Sequence, residues 1–297
     1  MVSDEIVRDA QRRLLIRIDR TAAEVGTGFP HAADGTSGRW EVKPEGSWTG
    51  GFWVGCCWLA MWHPRARVIP VGTRAEVSSG TDDVTIDCLM NLQVLWWAAR
   101  ETGLARYRDV ALAHAERTAA WHVRPDGSCV QSVHFDPLSG EPVKKHSHQG
   151  YSPEGCWSRG LGWCAYGFLE ASRATGREDF LAIARRAVDY HRRRMPADAV
   201  PFYDYDDPRV PGAPRDSSAG AILASACLGL AELTGGAAYR ETAGQILEGL
   251  IAGYLTPSGM LLHGCYNLHT GEAPDHELIW GDYFLLEALG RWQRPCP

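Results

Sequence analysis

Three helix junctions in this chain repeat one short pattern. In each, an apolar helix ends at Thr-Gly, an aromatic residue follows, and an alanine comes one helical turn later. Glycine supplies the left-handed residue that ends a helix, and side chains four residues apart share one face of the next helix. The repeat therefore predicts stacked αα-hairpins. The junctions are Thr102-Gly103 with Tyr107 and Ala111, Thr175-Gly176 with Phe180 and Ala184, and Thr234-Gly235 with Tyr239 and Ala243.

Apolar periodicity extends this helical pattern to most of the chain, with loops and short strands between the helices. Stacked hairpins with their loops on one side favour an all-α fold, an α/α toroid whose inner helices direct their N-termini into a common cavity. Helix N-termini concentrate partial positive charge there. The predicted helices span residues 4–24, 50–62, 87–102, 105–122, 159–175, 178–194, 216–233, 237–253 and 279–292.

The pattern breaks in the N-terminal part. The helix ending near Trp62 runs into His63-Pro64-Arg65 and an extended Val68-Ile69-Pro70-Val71, where the repeat requires Thr-Gly and an outer helix. We therefore expect a single domain, residues 1–297, with helices missing and an irregular segment at about 63–85 across the gap. Exposed apolar faces cost about 25 cal/mol per Å², so either this segment repacks or a homodimer covers the gap.

Composition narrows the function classes. The chain has 297 residues, 45% of them hydrophobic and 22% charged, and a formal net charge of −6. The negative net charge and the lack of a long basic run argue against nucleic acid or a membrane as the main partner. The acids near the N-terminus and the absence of a long apolar segment indicate a cytoplasmic location. The nine cysteines are an odd number, mostly within apolar helical patterns, and are expected to be reduced and buried.

Asp87 is the strongest candidate for chemistry. It opens a predicted helix, and Asn91 follows one turn later, so the two are expected to share a face away from the apolar side. Asp87 could act on a ligand as an acid, which requires burial to raise its pKa. Alternatively, it could interact only with the helix N-terminus.

Arg159 and Trp163 form a second candidate pair, four residues apart on a glycine-rich helix. The guanidinium suits a ligand carboxylate and the indole suits a sugar ring. A surface cation stacked on a packing tryptophan would give the same spacing.

Other polar residues lie at or near predicted helix starts or in loops. Arg215 precedes Asp216, which is expected first of all to cap a helix. Trp280 and Asp282 open the last helix, where Asp282 could face the cavity or complement the helix dipole. His146 and His148 are the only close histidine pair, and without a third ligand at a recognisable spacing they predict no metal site.

Several motifs, in this order along most of the chain, are similar to those of the unsaturated glucuronyl hydrolases, glycoside hydrolase family 88. The matching segments are Phe29-Pro30-His31, Trp48-Thr49-Gly50-Gly51-Phe52-Trp53, Ile86-Asp87-Cys88-Leu89-Met90-Asn91, His134-Phe135-Asp136-Pro137, His148-Gln149-Gly150, Trp157-Ser158-Arg159-Gly160, Arg215-Asp216-Ser217-Ser218-Ala219 and Ile279-Trp280-Gly281-Asp282-Tyr283.

The resemblance implies an (α/α)6 barrel, no metal, no organic cofactor, and hydration of the C4=C5 bond of an unsaturated uronic acid on a small oligosaccharide. It assigns the acid/base role to Asp87. It makes Trp48, Gln149, Arg159 and Trp163 substrate-binding residues. We add Asn91 from its spacing. Secondary candidates are His148, Arg215, Trp280 and Asp282.

The chain also departs from the family. The His-Asp-x-Gly-Phe segment that carries the second catalytic aspartate is missing from the sequence, at the same place where the helical repeat breaks. About three helices of twelve are therefore expected to be absent, which leaves an incomplete toroid of about nine. A family histidine is replaced by Gln131, and a family glutamine by Leu161.

Three functions stay open at this stage. The first is a hydrolase that retains Asp87 as its acid/base, with Asp282 or Asp34 as a nearby acid. The second is a degenerate member that binds a sugar or a partner without hydrolysis. The third is a biosynthetic enzyme that uses the barrel for another reaction on a glycosidic natural product.

Overall fold

The computed structural model describes residues 29–43, 65–69, 82–136 and 138–294, together with Ser3, Glu5, Ile6, Val7, Asp9, Ala10, Arg13, Arg17 and Glu24. The chain divides into two compact units, one of residues 1–50 and 191–297 and the other of residues 51–190. The described elements are β1 (Phe29–Asp34), β2 (Trp40–Lys43), β3 (Asp82–Thr85), a 3₁₀ helix (Ile86–Asn91), α1 (Leu92–Thr102), α2 (Ala105–Trp121), β4 (Ser132–Phe135), β5 (Pro142–His146), α3 (Ser158–Thr175), α4 (Glu178–Arg194), α5 (Ser217–Thr234), α6 (Ala237–Gly253), β6 (His276–Leu278) and α7 (Ile279–Trp292).

The predicted Thr-Gly helix ends are confirmed. Gly103, Gly176 and Gly235 all adopt left-handed backbone conformations, with φ of 69°, 71° and 66°. Each glycine N–H donates to the carbonyl four residues earlier, which ends α1, α3 and α5. This geometry is the reason for glycine at these positions, because a Cβ would be strained there.

The side chains that follow these junctions match the prediction in part. Ala111, Ala184 and Ala243 are all fully buried. Of the aromatic residues only Phe180 is buried, whereas Tyr107 and Tyr239 are partly exposed. The alanine therefore marks the packed face in every hairpin, and the aromatic residue only in the middle one.

The helix predictions agree closely with the described elements, apart from the segment 87–102. Residues Ile86–Asn91 form a 3₁₀ helix, and the α-helix begins only at Leu92. The described residues of the predicted helix 4–24 that fall between Glu5 and Glu24 are helical. The predicted helix 50–62 lies outside the described residues. The predicted single domain and the predicted gap at 63–85 stay predictions.

The unit of residues 51–190 contains an antiparallel sheet in the order β3-β4-β5. One face of this sheet is apolar and packs with the segment 65–69 in a fully buried cluster. Its members are Ala66, Val68, Val84, Val130, Val133 and Phe135.

In the same unit, α3 packs closely against the 3₁₀ helix. A Cβ on Gly167 would lie 2.5 Å from the Cβ of Leu89, and one on Gly160 would lie 3.3 Å from Ile86 Cγ2. Both distances are too short for an ordinary contact between carbon atoms. The glycines therefore let α3 approach the segment that carries Asp87.

The unit of residues 1–50 and 191–297 places β1 between β2 and β6, and packs α5 against α6 and α7. Almost every residue of α5 up to Ala231 is buried, which explains its run of small and apolar side chains. This helix is long and apolar enough to cross a membrane, contrary to the expectation from sequence, yet 83% of its most apolar window is buried inside the protein. A core helix has the same composition.

Replacing Gly167 by alanine tests the close approach of α3 to the 3₁₀ helix. We expect Gly167→Ala to lower the free energy of unfolding by about 1–3 kcal/mol, the usual cost of an overpacked contact. The matched control is Gly253→Ala at the end of α6, where nothing lies within 4 Å of the added Cβ. Urea unfolding measures both, and equal effects at the two positions would contradict the packing argument.

Candidate active site

Asp87 lies in the first turn of the 3₁₀ helix, directly after β3. Ile86 N–H donates to the carbonyl of Gln131 at 2.8 Å, which fixes the start of this helix against the chain that leads into β4. Asp87 Oδ2 is buried and has no hydrogen-bond partner among the described residues. This carboxyl oxygen is therefore a buried acceptor whose hydrogen-bonding capacity the described residues leave unused.

The electrostatic environment of Asp87 favours the protonated acid. Burial raises its pKa above the ordinary aspartate value, because removal from water disfavours the charged carboxylate. The positive charge of Arg159 acts in the opposite direction. The net rise in pKa is the property that catalysis as an acid requires.

Arg159 is only 1% exposed, so the alternative of a surface cation does not apply. Its guanidinium carbon lies 4.5 Å from the centre of the Trp157 ring, in the arrangement of a cation–π contact. Trp163 follows one turn later on α3 and is also buried. The structure thus brings Asp87 and Arg159 into one electrostatic environment, with Trp163 on the same helix as the arginine.

Gln131 organises the loop that carries His148 and Gln149. Its Oε1 accepts from Ser147 Oγ at 2.8 Å, from His148 N–H at 2.8 Å and from Gln149 N–H at 2.9 Å. Its Nε2 donates to Gln149 Oε1 at 2.7 Å. Through its backbone and its side chain, Gln131 therefore connects the start of the Asp87 helix with the Gln149 loop.

His148 is half-exposed and pairs with Asp83, Nε2 to Oδ2 at 2.5 Å. This hydrogen bond raises the pKa of His148, with a further contribution from the negative charge of Asp87. Burial alone would raise the pKa of Asp83, but hydrogen bonds from His148 and Ser132 bring it below the ordinary value.

The position of Asn91 relative to Asp87 differs from the prediction. In a 3₁₀ helix, residues three apart lie in line, so Met90 and not Asn91 is aligned with Asp87. Asn91 is partly exposed at the end of this helix. The shared face expected from α-helical spacing is therefore wrong, and a binding role for Asn91 stays a prediction.

In the other unit, Arg215 and its neighbour Asp216 make local structural contacts. Asp216 caps α5, accepting from Ser218 N–H at 3.1 Å and Ala219 N–H at 3.4 Å, which confirms the capping interpretation. Arg215 forms a salt bridge with Asp198 at 3.1 Å, and its guanidinium lies 4.0 Å from the centre of the Phe202 ring.

Trp280 and Asp282 are both buried at the start of α7. Trp280 Nε1–H donates to Ser218 Oγ at 3.0 Å. Burial raises the pKa of Asp282 well above the ordinary value, and the negative charge of Glu277 adds to this effect. Asp282 Oδ1 has no hydrogen-bond partner in the part of the chain described, so Asp282 is a buried acid within its own unit.

Asp34 and Trp48 are the two remaining candidates. Asp34 accepts from Ser37 N–H at 2.7 Å and from Thr36 N–H at 3.2 Å, so its carboxylate holds the turn between β1 and β2. Trp48 lies outside the described residues.

Sequence reasoning missed the importance of Gln131 and Asp83. Asp83 is placed by the pairing of β3 with β4, and Gln131 holds a loop that returns to the start of β4. In the sequence, Gln131 stands out only as a replaced family histidine. The buried polar position just before a strand was the only local signal for its role.

No protein-family model matches the chain. The unsaturated glucuronyl hydrolase of Bacillus sp. strain GL1 is 29% identical, over 93% of this chain and 93% of that protein. The unsaturated glucuronyl hydrolase of Formosa agariphila is 35% identical, over 71% of this chain and 54% of the relative. The unsaturated chondroitin disaccharide hydrolase of Streptococcus pyogenes is 36% identical, over 70% and 55%. The chain thus spans about half the length of the last two.

Solved structures give the same result. The crystal structure of the Bacillus sp. GL1 unsaturated glucuronyl hydrolase matches with a TM-score of 0.89 and 28% identity, over 98% of this chain and 97% of that one. A mutant of the Streptococcus agalactiae unsaturated glucuronyl hydrolase, complexed with dGlcA-GalNAc6S, matches with a TM-score of 0.78 and 27% identity, over 99% and 93%.

The fold class is therefore the all-α, α/α-barrel class predicted from the hairpin repeat. Within that class, the chain belongs to the unsaturated glucuronyl hydrolases, as the motifs implied. The Bacillus alignment runs over 354 residues, more than the 297 of this chain, so part of that relative has no counterpart here. This difference supports the deletion, whose position and extent stay predictions.

Removing the Gln131 side chain tests its role in the site. Gln131→Ala leaves the N–H groups of His148 and Gln149 without their acceptor, which costs about 1–3 kcal/mol for a buried polar group. We expect faster hydrogen exchange at these two amides, measured by NMR. In the control Ser147→Ala, Gln131 still accepts from both amides, so their exchange should stay slow. Unchanged exchange in Gln131→Ala would contradict the assigned role.

Proposed function

We propose that this protein catalyses hydration of the C4=C5 enol ether of an unsaturated uronic acid at the end of a small oligosaccharide, with Asp87 as the acid and base. The observation that carries the proposal is the carboxyl of Asp87: one oxygen is buried without a partner in the described chain, and burial raises its pKa. Such a group can hold a proton for delivery to carbon. The sequence and fold relationship to unsaturated glucuronyl hydrolases supports the same reaction.

The proposed reaction uses one carboxyl group twice. The Asp87 carboxyl gives its proton to C4, and the electrons of the double bond form the new C–H bond, which leaves an oxocarbenium at C5. Water then adds to C5 and returns a proton to the Asp87 carboxylate. The hemiketal opens to a ketone by breaking the bond from C5 to the ring oxygen. The resulting hemiacetal at C1 then releases the remaining sugar.

Arg159 has the properties needed to bind the carboxylate of such a substrate. A guanidinium is always charged and presents donors that match a carboxylate. Its burial strengthens the interaction with a bound anion, because screening by water is reduced. It also limits how far the Asp87 pKa rises, so the same residue serves binding and acid strength.

Trp163 and Gln149 complete the proposed binding site in this unit. The indole offers an apolar ring and a donor. The amide of Gln149 is held by Gln131. By the family resemblance, Trp48 is a further proposed binding residue. Asn91, which was added only from its spacing, stays a proposal that the 3₁₀ geometry does not support. The mutant relative complexed with dGlcA-GalNAc6S supports a short unsaturated oligosaccharide as ligand.

The missing His-Asp-x-Gly-Phe segment favours a second function, binding of an unsaturated oligosaccharide without turnover. In the family, this segment supplies a second carboxylate. The proposed mechanism requires Asp87 to act without it, and the alternative requires only the binding residues.

Loss of ultraviolet absorbance of an unsaturated chondroitin disaccharide measures the hydration directly, because the reaction removes the conjugated double bond. We expect the purified protein to remove this absorbance from the substrate. Asp87→Asn should lower the rate by about 10²–10⁴-fold, the usual contribution of a general acid or base. The matched control is Asp126→Asn, the same substitution at a hairpin turn, where the carboxylate binds Ser128; its rate should be unchanged.

Calorimetry with the same disaccharide separates the two functions. Asp87→Asn should still bind it, since Arg159 and Trp163 remain. Binding of the disaccharide to the unaltered protein without any loss of its ultraviolet absorbance would establish the noncatalytic alternative. An Asp87→Asn variant as active as the unaltered protein would remove Asp87 from the mechanism.

A further inference from the structure

The strand register of the β3-β4-β5 sheet brings polar side chains together on one face. Asp83 lies opposite His134, and His146 lies opposite Ser132. Directly opposed residues point to the same side of a sheet, as do residues two apart on one strand. Asp83, Ser132, His134 and His146 therefore share a face.

The opposite face holds this arrangement in place. Val84 and Val133 alternate with the polar residues and pack in the buried apolar cluster with Ala66 and Val68. A slip of one residue would turn the polar side chains into this cluster, so the register is strongly fixed.

His148 extends the polar face beyond the end of β5. The ring centres of His146 and His148 are 4.6 Å apart, and those of His134 and His146 are 5.3 Å apart. One ring nitrogen from each of the three histidines lies within 4.8 Å of the other two. Asp83 reaches two of these rings, with Oδ2 2.5 Å from His148 Nε2 and Oδ1 3.4 Å from His134 Nε2.

We propose that His134, His146 and His148 bind a divalent transition metal ion of the zinc type, with Asp83 supplying the negative charge of the site. Three imidazole ligands, with a carboxylate hydrogen-bonded to one of them, suit Zn²⁺ and its neighbours better than Ca²⁺ or Mg²⁺, which prefer oxygen ligands. Zn–N bonds of about 2.0–2.1 Å place the ligand nitrogens about 3.3 Å apart in a tetrahedron. The rings would therefore draw together by up to about 1.5 Å around the ion.

The surroundings of the rings fit this role. His148 is held by Asp83, the carboxylate–histidine pairing that commonly orients a metal ligand. Lys144 lies opposite His134 on the neighbouring strand, and its positive charge also reaches His146. This charge is unfavourable for a bound cation.

The site departs from the expectation of no metal. In the sequence, only His146 and His148 are close. The third ligand, His134, and the carboxylate come from neighbouring strands, so no sequence spacing marks the set. The proposal concerns the sheet and does not depend on the proposed hydrolysis.

Calorimetric titration of tag-free, chelator-treated protein with ZnCl₂ tests the proposal. We expect one equivalent to bind, and His146→Gln to abolish this stoichiometric binding. His263→Gln is the matched control, because His263 is a surface histidine that also pairs with a carboxylate, Asp275, in the other unit; it should bind as the unaltered protein does. Circular dichroism confirms that each variant is folded.

Two charge variants give opposite expected shifts. Asp83→Asn should weaken Zn²⁺ binding by about 10–100-fold, the effect of losing an outer carboxylate partner. Lys144→Gln should tighten binding, because it removes an exposed positive charge near the ion. Absorption by bound Co²⁺, lost in His146→Gln, would show ligation by the protein directly. Failure of the unaltered protein to bind one equivalent, or equal binding by His146→Gln, would overturn the proposal.

Discussion

The close packing of the 3₁₀ helix Ile86–Asn91 on α3 is the constraint on which the candidate active site depends. Glycines at 160 and 167 remove the side chains that would hold the two elements apart. The Asp87 carboxyl on this helix is removed from water and lies within the electrostatic field of the buried Arg159. Burial and the positive charge act on the same proton in opposite directions, and burial is the stronger. A carboxyl with a raised pKa can act as an acid, while the guanidinium beside it can bind an anionic substrate.

The β3-β4-β5 sheet supports this site from its other side. Gln131, which leads into β4, accepts from the N–H groups of His148 and Gln149 and also anchors Ile86. The side chain of Gln131 thus holds the loop that carries Gln149, a proposed sugar-binding residue, and its backbone carbonyl holds the helix that carries Asp87. The family resemblance places a histidine at this position, where this chain has a glutamine that connects the two segments.

Local signals in the sequence were sufficient for the hairpins, because a left-handed glycine after threonine is determined within one helical turn. They were insufficient for Asn91, since apolar periodicity does not distinguish a 3₁₀ turn from an α-helical one. Gln131 and His134 were missed or undervalued because their partners come from paired strands and a returning loop, which sequence spacing does not reveal. Residue type and spacing, together with the family resemblance, predicted a ligand-binding role for Arg159 but left a surface position open, and the structure shows that its side chain is buried.

The proposed mechanism requires the pKa of the Asp87 carboxyl to lie above that of an ordinary aspartate. Carboxyl ¹³C NMR across a pH titration measures this directly, with the Asp87 signal assigned by its loss in Asp87→Asn. We expect a midpoint above about 3.9, the unperturbed aspartate value, so that the acid is protonated at a pH where exposed aspartates are charged. A midpoint at or below that value would show that the charge of Arg159 outweighs burial, and would contradict the assignment of Asp87 as an acid with a raised pKa.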